Sequence, residues 1–73
     1  MDSEKIKSLI EAGLPGAVVI VSGDGRHFDA QVITSAFVGK SMLQQHRMVY
    51  AALGGSFDTA ALHALSLHTS VPE

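Results

Sequence analysis

A group of turn-forming residues between two strand-like runs is the feature that most constrains the fold of this chain. The first run, AVVIVSG at 17–23, is rich in β-branched residues, and the second, HFDAQVIT at 27–34, alternates apolar and polar side chains. The segment SGDGR between them favours a tight turn. The sequence therefore predicts a β-hairpin whose second strand has one buried face. That face consists of Phe28, Ala30 and Val32, opposite Asp29 and Gln31.

Apolar residues at helical spacing occur on both sides of the hairpin. The first predicted helix begins at Asp2 or Ser3 as N-cap and ends near Gly13 and Pro15. Its apolar face comprises Ile6, Leu9, Ile10 and Leu14. The second follows the connector SAFVGK, with Gly39 as the expected hinge, and runs from Ser41 as N-cap to about Leu53. The apolar stripe expected on that helix comprises Met42, Leu43, Val49, Tyr50 and Leu53.

The remaining elements complete a small mixed fold. A short helical turn is expected after Asp58, and the alternating segment ALSLHTSV at 64–71 predicts a third strand with Leu65 and Leu67 inward. The order helix, strand, strand, helix, short helix, strand is that of a two-layer α+β domain of the KH-like type, class II. We predict a three-stranded sheet with the helices on one face, in a single domain over residues 1–73.

Histidines are the residues most able to carry chemistry in a chain without cysteine. His27 lies where the hairpin turn becomes a strand and His63 opens the third strand, and exposed imidazoles at such positions suit a metal shared with a partner. Two histidines alone rarely hold a metal, so a closed site needs ligands from elsewhere. His46, within the apolar stripe, is expected to be a buried, hydrogen-bonded structural histidine. His68 is expected on the surface, opposite the inward leucines.

Charge and motif content disfavour other functions. The formal net charge is −2, and the few cations are scattered, which disfavours strong autonomous binding of nucleic acid. The chain has no G-x-S-x-G nucleophile motif and no GXXG loop between two helices, since GLPG at 13–16 precedes a predicted strand, so we expect no enzymatic activity and no KH-type clamp. Its longest apolar run, AVVIV, is far too short to span a bilayer, and MDSEKIK does not have the form of a signal peptide. The expected location is the cytoplasm.

The segments FVGKSMLQQHRMVYAAL and LHALSLHT resemble the BolA family. The family pattern is an aromatic residue, a spacer, Gly-Lys, a helix with an Arg-His-Arg-like core running into Val-Tyr, and later His-Ala-Leu. The chain departs from it in two places. Gln45 stands where many members carry the first arginine, and the sequence ends at Glu73, where many members continue into a further helix. We therefore expect a short form without that extension.

The resemblance implies an adaptor in iron–sulfur trafficking or iron and stress regulation. BolA-like proteins pair with monothiol glutaredoxins and share a bridged [2Fe-2S] cluster, for which the partner's cysteine and glutathione supply thiolates. The ligands implied in this chain are His63, from His-Ala-Leu, and His27, from the hairpin loop. Imidazoles in place of thiolates should raise the reduction potential of the cluster, as in Rieske centres. Alone, the protein is expected to be a monomer or a weak dimer.

The resemblance implies a second function, DNA binding. Some bacterial members regulate stress and morphology genes, with the region FVGK…HRMVY proposed as a helix-turn-helix-like surface. The nucleic-acid contacts in this chain would be Lys40, Gln44 and Arg47, with Gln45 nearby. So few cations predict weak binding that falls steeply with salt. A third interpretation is a simple interaction domain whose histidines have no functional role.

Overall fold

A computed structural model describes residues 2–54 and 64–73 of the chain. Its helices and strands are, in chain order, α1 (Ser3–Gly13), β1 (Val18–Gly23), β2 (Phe28–Ile33), a 3-10 turn (Ser35–Phe37), α2 (Met42–Leu53) and β3 (Leu65–Ser70). The boundaries of both helices and all three strands agree with the sequence-based prediction to within one or two residues. The helical turn expected after Asp58 lies outside the described residues.

The three strands form one sheet in the order β1-β2-β3, so β2 is central. β1 and β2 pair antiparallel, from Val18 opposite Ile33 to Gly23 opposite Phe28, which confirms the predicted hairpin. β3 pairs with the other edge of β2 in parallel, and its register begins with Phe28 opposite Leu65. The chain therefore enters β2 and β3 at the same end of the sheet.

Both helices pack on one face of this sheet, which confirms the predicted two-layer α+β architecture. The inward residues of β2 alternate with exposed ones, as expected from the sequence. α1 begins because the Asp2 side chain accepts a hydrogen bond from the Lys5 N–H at 2.8 Å. The buried core consists of Ile6, Ile10, Leu14, Val19, Phe28, Ala30, Val32, Phe37, Val49, Leu53 and Leu65. Within the described part of the chain, neither helix is long and apolar enough to cross a membrane.

The predicted apolar stripe on α2 is only partly correct. Val49 and Leu53 are buried, whereas Met42, Leu43 and Tyr50 are exposed. Leu43 comes one residue after Met42, and Tyr50 comes one residue after Val49. Because a helix turns by about 100° per residue, Leu43 and Tyr50 lie on the flank of the packed face. Met42 is the first residue of the helix and meets Thr69 of β3 at its sulfur, 3.4 Å from the hydroxyl oxygen. α2 thus combines a narrow buried face with an exposed apolar flank.

The connector before α2 is more structured than its sequence indicated. Thr34 is buried, and its hydroxyl accepts a hydrogen bond from the Ala36 N–H at 3.2 Å, which starts the 3-10 turn. The turn directs the Phe37 ring into the core, where only 1% of the residue is exposed. Phe37, a residue of the FVGK motif, therefore fixes the path of the chain into α2.

Candidate metal centre

The backbone around His27 is joined to the start of β3. The N–H of Phe28, the residue after His27, donates to the carbonyl of Ala64 at 2.8 Å. Ala64 directly follows His63 in the sequence, while His63 itself lies outside the described residues. The hydrogen bond therefore connects the two residues that follow the two predicted ligands. This connection depends on the parallel pairing of β2 with β3, which brings together segments more than thirty residues apart.

The loop that carries His27 is held by Asp24. Oδ1 of Asp24 accepts hydrogen bonds from the N–H groups of Arg26 and His27 at 2.8 and 2.9 Å. The N–H of Asp24 in turn donates to the carbonyl of His27 at 3.2 Å. Gly25, with φ of 93°, allows the chain to reverse between these partners. One residue therefore binds both backbone polar groups of the candidate ligand.

The same contacts act on the charge of the Asp24 carboxylate. Donation from the N–H groups of His27 and Arg26 lowers the pKa of Asp24 below its ordinary value, because hydrogen bonds to a carboxylate stabilise the ionised form. The Asp24 carboxylate therefore stays ionised at a more acidic pH than an ordinary aspartate does. Sequence reasoning treated Gly-Asp-Gly only as a turn signal and missed this role. An aspartate two and three residues before the N–H groups it binds is the pattern of an Asx turn, and this pattern could have revealed it.

The His27 residue is exposed, so its ring is accessible to a partner protein. In residues 2–54 and 64–73, no three His, Cys, Asp or Glu side chains lie close enough together to hold a metal ion. A metal bound at His27 would therefore need donors beyond this described set. The arrangement suits an open ligand at a protein–protein boundary better than a closed, self-sufficient site.

The two other histidines take different positions. His68 is on the outer face of the sheet, where Nε2 lies 3.5 Å from Oδ1 of Asp29 and both side chains are about two-thirds exposed. The surface location predicted for His68 is confirmed. An exposed pair of this kind contributes little to stability.

His46 differs from its prediction as a buried, hydrogen-bonded residue. The residue is only half-buried. Its Nε2 atom is buried and has no hydrogen-bond partner among the described residues. The described residues also place no set of metal ligands around His46. Its assignment as a structural histidine remains a prediction.

Of the three predicted nucleic-acid contacts at the start of α2, only Gln44 has a side chain engaged in an internal hydrogen bond among the described residues. Lys40 and Arg47 are exposed, but the Gln44 side chain accepts from the Ser41 N–H at 2.8 Å and completes a capping box. Gln45 donates from Nε2 to the Lys40 carbonyl at 3.0 Å and accepts from the Thr69 hydroxyl at 2.6 Å. The departure at Gln45 therefore supplies a brace between the connector, α2 and β3, a role that sequence reasoning missed because its partner is 24 residues away.

This brace should be measurable as a coupling free energy. We expect Gln45→Ala and Thr69→Val each to lower the free energy of unfolding by about 1 kcal/mol, because each removes a partner of a partly buried hydrogen bond. In a double-mutant cycle by urea denaturation, the second substitution should cost clearly less than the first, with a coupling of about 0.5–1.5 kcal/mol. Additive losses would show that the two side chains do not stabilise the fold through one another.

Comparisons with known proteins agree in family and fold. Residues 5–73 match the family described as BolA-like protein. The structure of a bolA protein homologue from Coxiella burnetii superposes with a TM-score of 0.84 at 44% identity, covering 99% of this chain and 92% of that one. An uncharacterized protein from the rpoN-murA intergenic region of Acinetobacter guillouiae is 30% identical over the whole chain and 88% of its own length. The DNA-binding transcriptional regulator BolA of Escherichia coli is 36% identical over 50 residues, 68% of this chain and 47% of the regulator.

Proposed function

The chain belongs to the BolA-like family, and from that premise we propose that it is a non-enzymatic adaptor that pairs with a monothiol glutaredoxin. In this proposal the two proteins share a bridged [2Fe-2S] cluster, with His27 and His63 as the ligands from this chain. Iron–sulfur trafficking, or regulation by iron and stress, is the process that such an adaptor would serve.

The observation that carries the proposal is the hydrogen bond from the Phe28 N–H to the Ala64 carbonyl. Each of these residues directly follows one of the proposed ligands in the sequence. The bond lies at the start of the parallel pairing between β2 and β3, so the sheet supports the backbone of the residue after each proposed ligand. Backbone that is already held does not have to be ordered when a partner binds, which favours association.

The donor chemistry fits a cluster completed by another protein. The chain contains no cysteine, and neutral imidazole is a good ligand for iron. Thiolates from the glutaredoxin cysteine and from glutathione would supply the other ligands. The shared cluster would then carry two imidazoles, a ligand set that raises the reduction potential relative to one made of thiolates alone.

Anaerobic reconstitution tests the proposal. The protein is mixed with a monothiol glutaredoxin, glutathione, iron and sulfide, and visible absorption and circular dichroism are recorded. We expect a spectrum distinct from that of the glutaredoxin homodimer, because imidazole ligation changes the electronic transitions of the cluster. His27→Ala and His63→Ala should abolish the distinct spectrum, whereas His68→Ala, at an exposed histidine on the outer face of the sheet, should preserve it. A homodimer spectrum with the native protein, or full retention in His63→Ala, would refute the assignment.

DNA binding is the alternative function. It is favoured by the name of the Escherichia coli relative and by the exposure of Lys40 and Arg47 on the connector and α2. Against it, Gln44 and Gln45 are engaged internally, and the neighbouring exposed residues Val38 and Leu43 are apolar. A regulator should shift DNA without any partner, and its affinity should fall steeply with salt and with Lys40→Ala or Arg47→Ala.

A further inference from the structure

The orientation of His27 before any partner is present depends on the contacts within the hairpin loop. The loop consists of the residues between Gly23 and Phe28, the last pair of the β1–β2 ladder. A four-residue loop at the end of a sheet is commonly mobile unless its own polar groups are bound. Here the polar groups of the His27 backbone are bound, and both are bound by Asp24.

We propose that Asp24 is a positioning residue for the His27 ligand and that it presents the imidazole in the free protein. The inference rests on the proposed function, because it assigns His27 the role of ligand. Asp24 uses its side chain for the His27 N–H and its own N–H for the His27 carbonyl, so the direction of the Cα–Cβ bond of His27 is fixed from both sides. The hydrogen bond to the Arg26 N–H fixes the preceding peptide as well.

The surroundings of the loop support the same role. On one side, Gly23 leaves room for the His27 carbonyl, since a Cβ at Gly23 would lie 2.5 Å from that oxygen. On the other side, Phe28 is buried and bonded to Ala64, which anchors the residue after His27. The backbone of His27 is therefore held at both ends while the residue itself stays exposed. Support of this kind around a ligand typically changes metal affinity by about 10- to 100-fold when it is removed.

Three variants separate positioning from a general effect of charge. Asp24→Ala removes the acceptor of the loop hydrogen bonds. Asp24→Asn keeps a carbonyl oxygen at the same place, so it should retain most of the support of the His27 backbone. Asp29→Ala is the matched control, because Asp29 is an exposed carboxylate on β2 whose described ion-pair contact is with His68 and not with the loop. All three substitutions are at exposed positions, so the fold should be retained, and circular dichroism in the far ultraviolet checks this.

The first readout uses the free protein. We expect amide hydrogen exchange at Arg26 and His27 to be slow in the native protein and in Asp24→Asn, and to accelerate by about 10-fold or more in Asp24→Ala, because both N–H groups lose their acceptor. Unchanged exchange in Asp24→Ala would overturn the inference. This measurement needs no cluster, so it tests whether Asp24 holds the His27 backbone whatever the outcome of reconstitution. Failure of the native protein to form a mixed cluster would refute the proposed function and not this inference.

The second readout uses the complex with glutaredoxin. Loss of the cluster to an excess of iron chelator should be about 10-fold faster in Asp24→Ala than in the native protein, and near the native rate in Asp24→Asn and Asp29→Ala. Equal acceleration in Asp24→Ala and Asp29→Ala would assign the effect to charge and overturn the positioning role. A native rate in Asp24→Ala would overturn it as well.

Discussion

Replacing Phe37 with alanine is expected to lower the free energy of unfolding by about 3–5 kcal/mol. Phe37 is 1% exposed and is the largest of the fully buried side chains in the described part of the chain, so its removal leaves a cavity as well as losing apolar burial. A small domain is stabilised by roughly 0.05–0.15 kcal/mol per residue, so the loss is a large share of the total. In urea denaturation the midpoint should fall sharply, and part of the protein should be unfolded without denaturant.

Val38→Ala is the matched control for this prediction. Val38 is the next residue, but it is 66% exposed, so its truncation should change stability by no more than about 0.5 kcal/mol. Similar losses in the two variants would contradict the structure of the connector. A loss below about 1 kcal/mol for Phe37→Ala would show that the ring is not an anchor of the core.

Exchanging the proposed loop ligand His27 for cysteine is expected to lower the midpoint potential of the shared cluster by on the order of 100 mV or more. A thiolate carries a negative charge and donates more electron density to iron than neutral imidazole does, and centres with two imidazoles have potentials well above those ligated by thiolates alone. The exposed position of His27 should accept the smaller side chain without disturbing the core. Spectroelectrochemical titration of the reconstituted complex gives the potential directly.

His68→Cys controls for the mere presence of a thiol. It introduces a cysteine at an exposed site on the outer face of the sheet, and its complex should titrate at the native potential. Loss of the cluster to a chelator should also be slower in His27→Cys, since thiolate is the stronger ligand for the cluster iron. A native potential in His27→Cys would remove His27 from the ligand set.

Local sequence patterns were sufficient to predict most of the fold. Asp2, one of the two predicted N-caps, caps α1, Ser41 caps α2 as predicted, and the alternation of β2 matches its burial. These features depend on hydrogen bonds and periodicities within a few residues of chain. Burial of Phe37 was not predicted, because a 3-10 turn capped by Thr34 redirects the connector and no periodic pattern marks it.

The ligands of the candidate site were predicted from the sequence and stay a prediction, but the sequence did not show which contacts support them. The resemblance named His27 and His63, yet the parallel pairing that bonds Phe28 to Ala64 joins distant segments and leaves no trace in local periodicity. The braces at Asp24 and Gln45 were missed for two different reasons. Asp24 acts within a turn whose signal was recognised without its hydrogen bonds, whereas Gln45 acts through Thr69 on another element.

The central claim is that imidazole nitrogens of this chain bind the iron of a shared cluster. Pulsed electron paramagnetic resonance of the reduced complex tests it most directly, with this chain carrying histidine labelled with the heavy nitrogen isotope and the glutaredoxin unlabelled. We predict strong nitrogen couplings that change with the label and diminish in His27→Ala and in His63→Ala, but not in His68→Ala. A cluster signal with no sensitivity to the label would show that the iron is held without these histidines and would contradict the account.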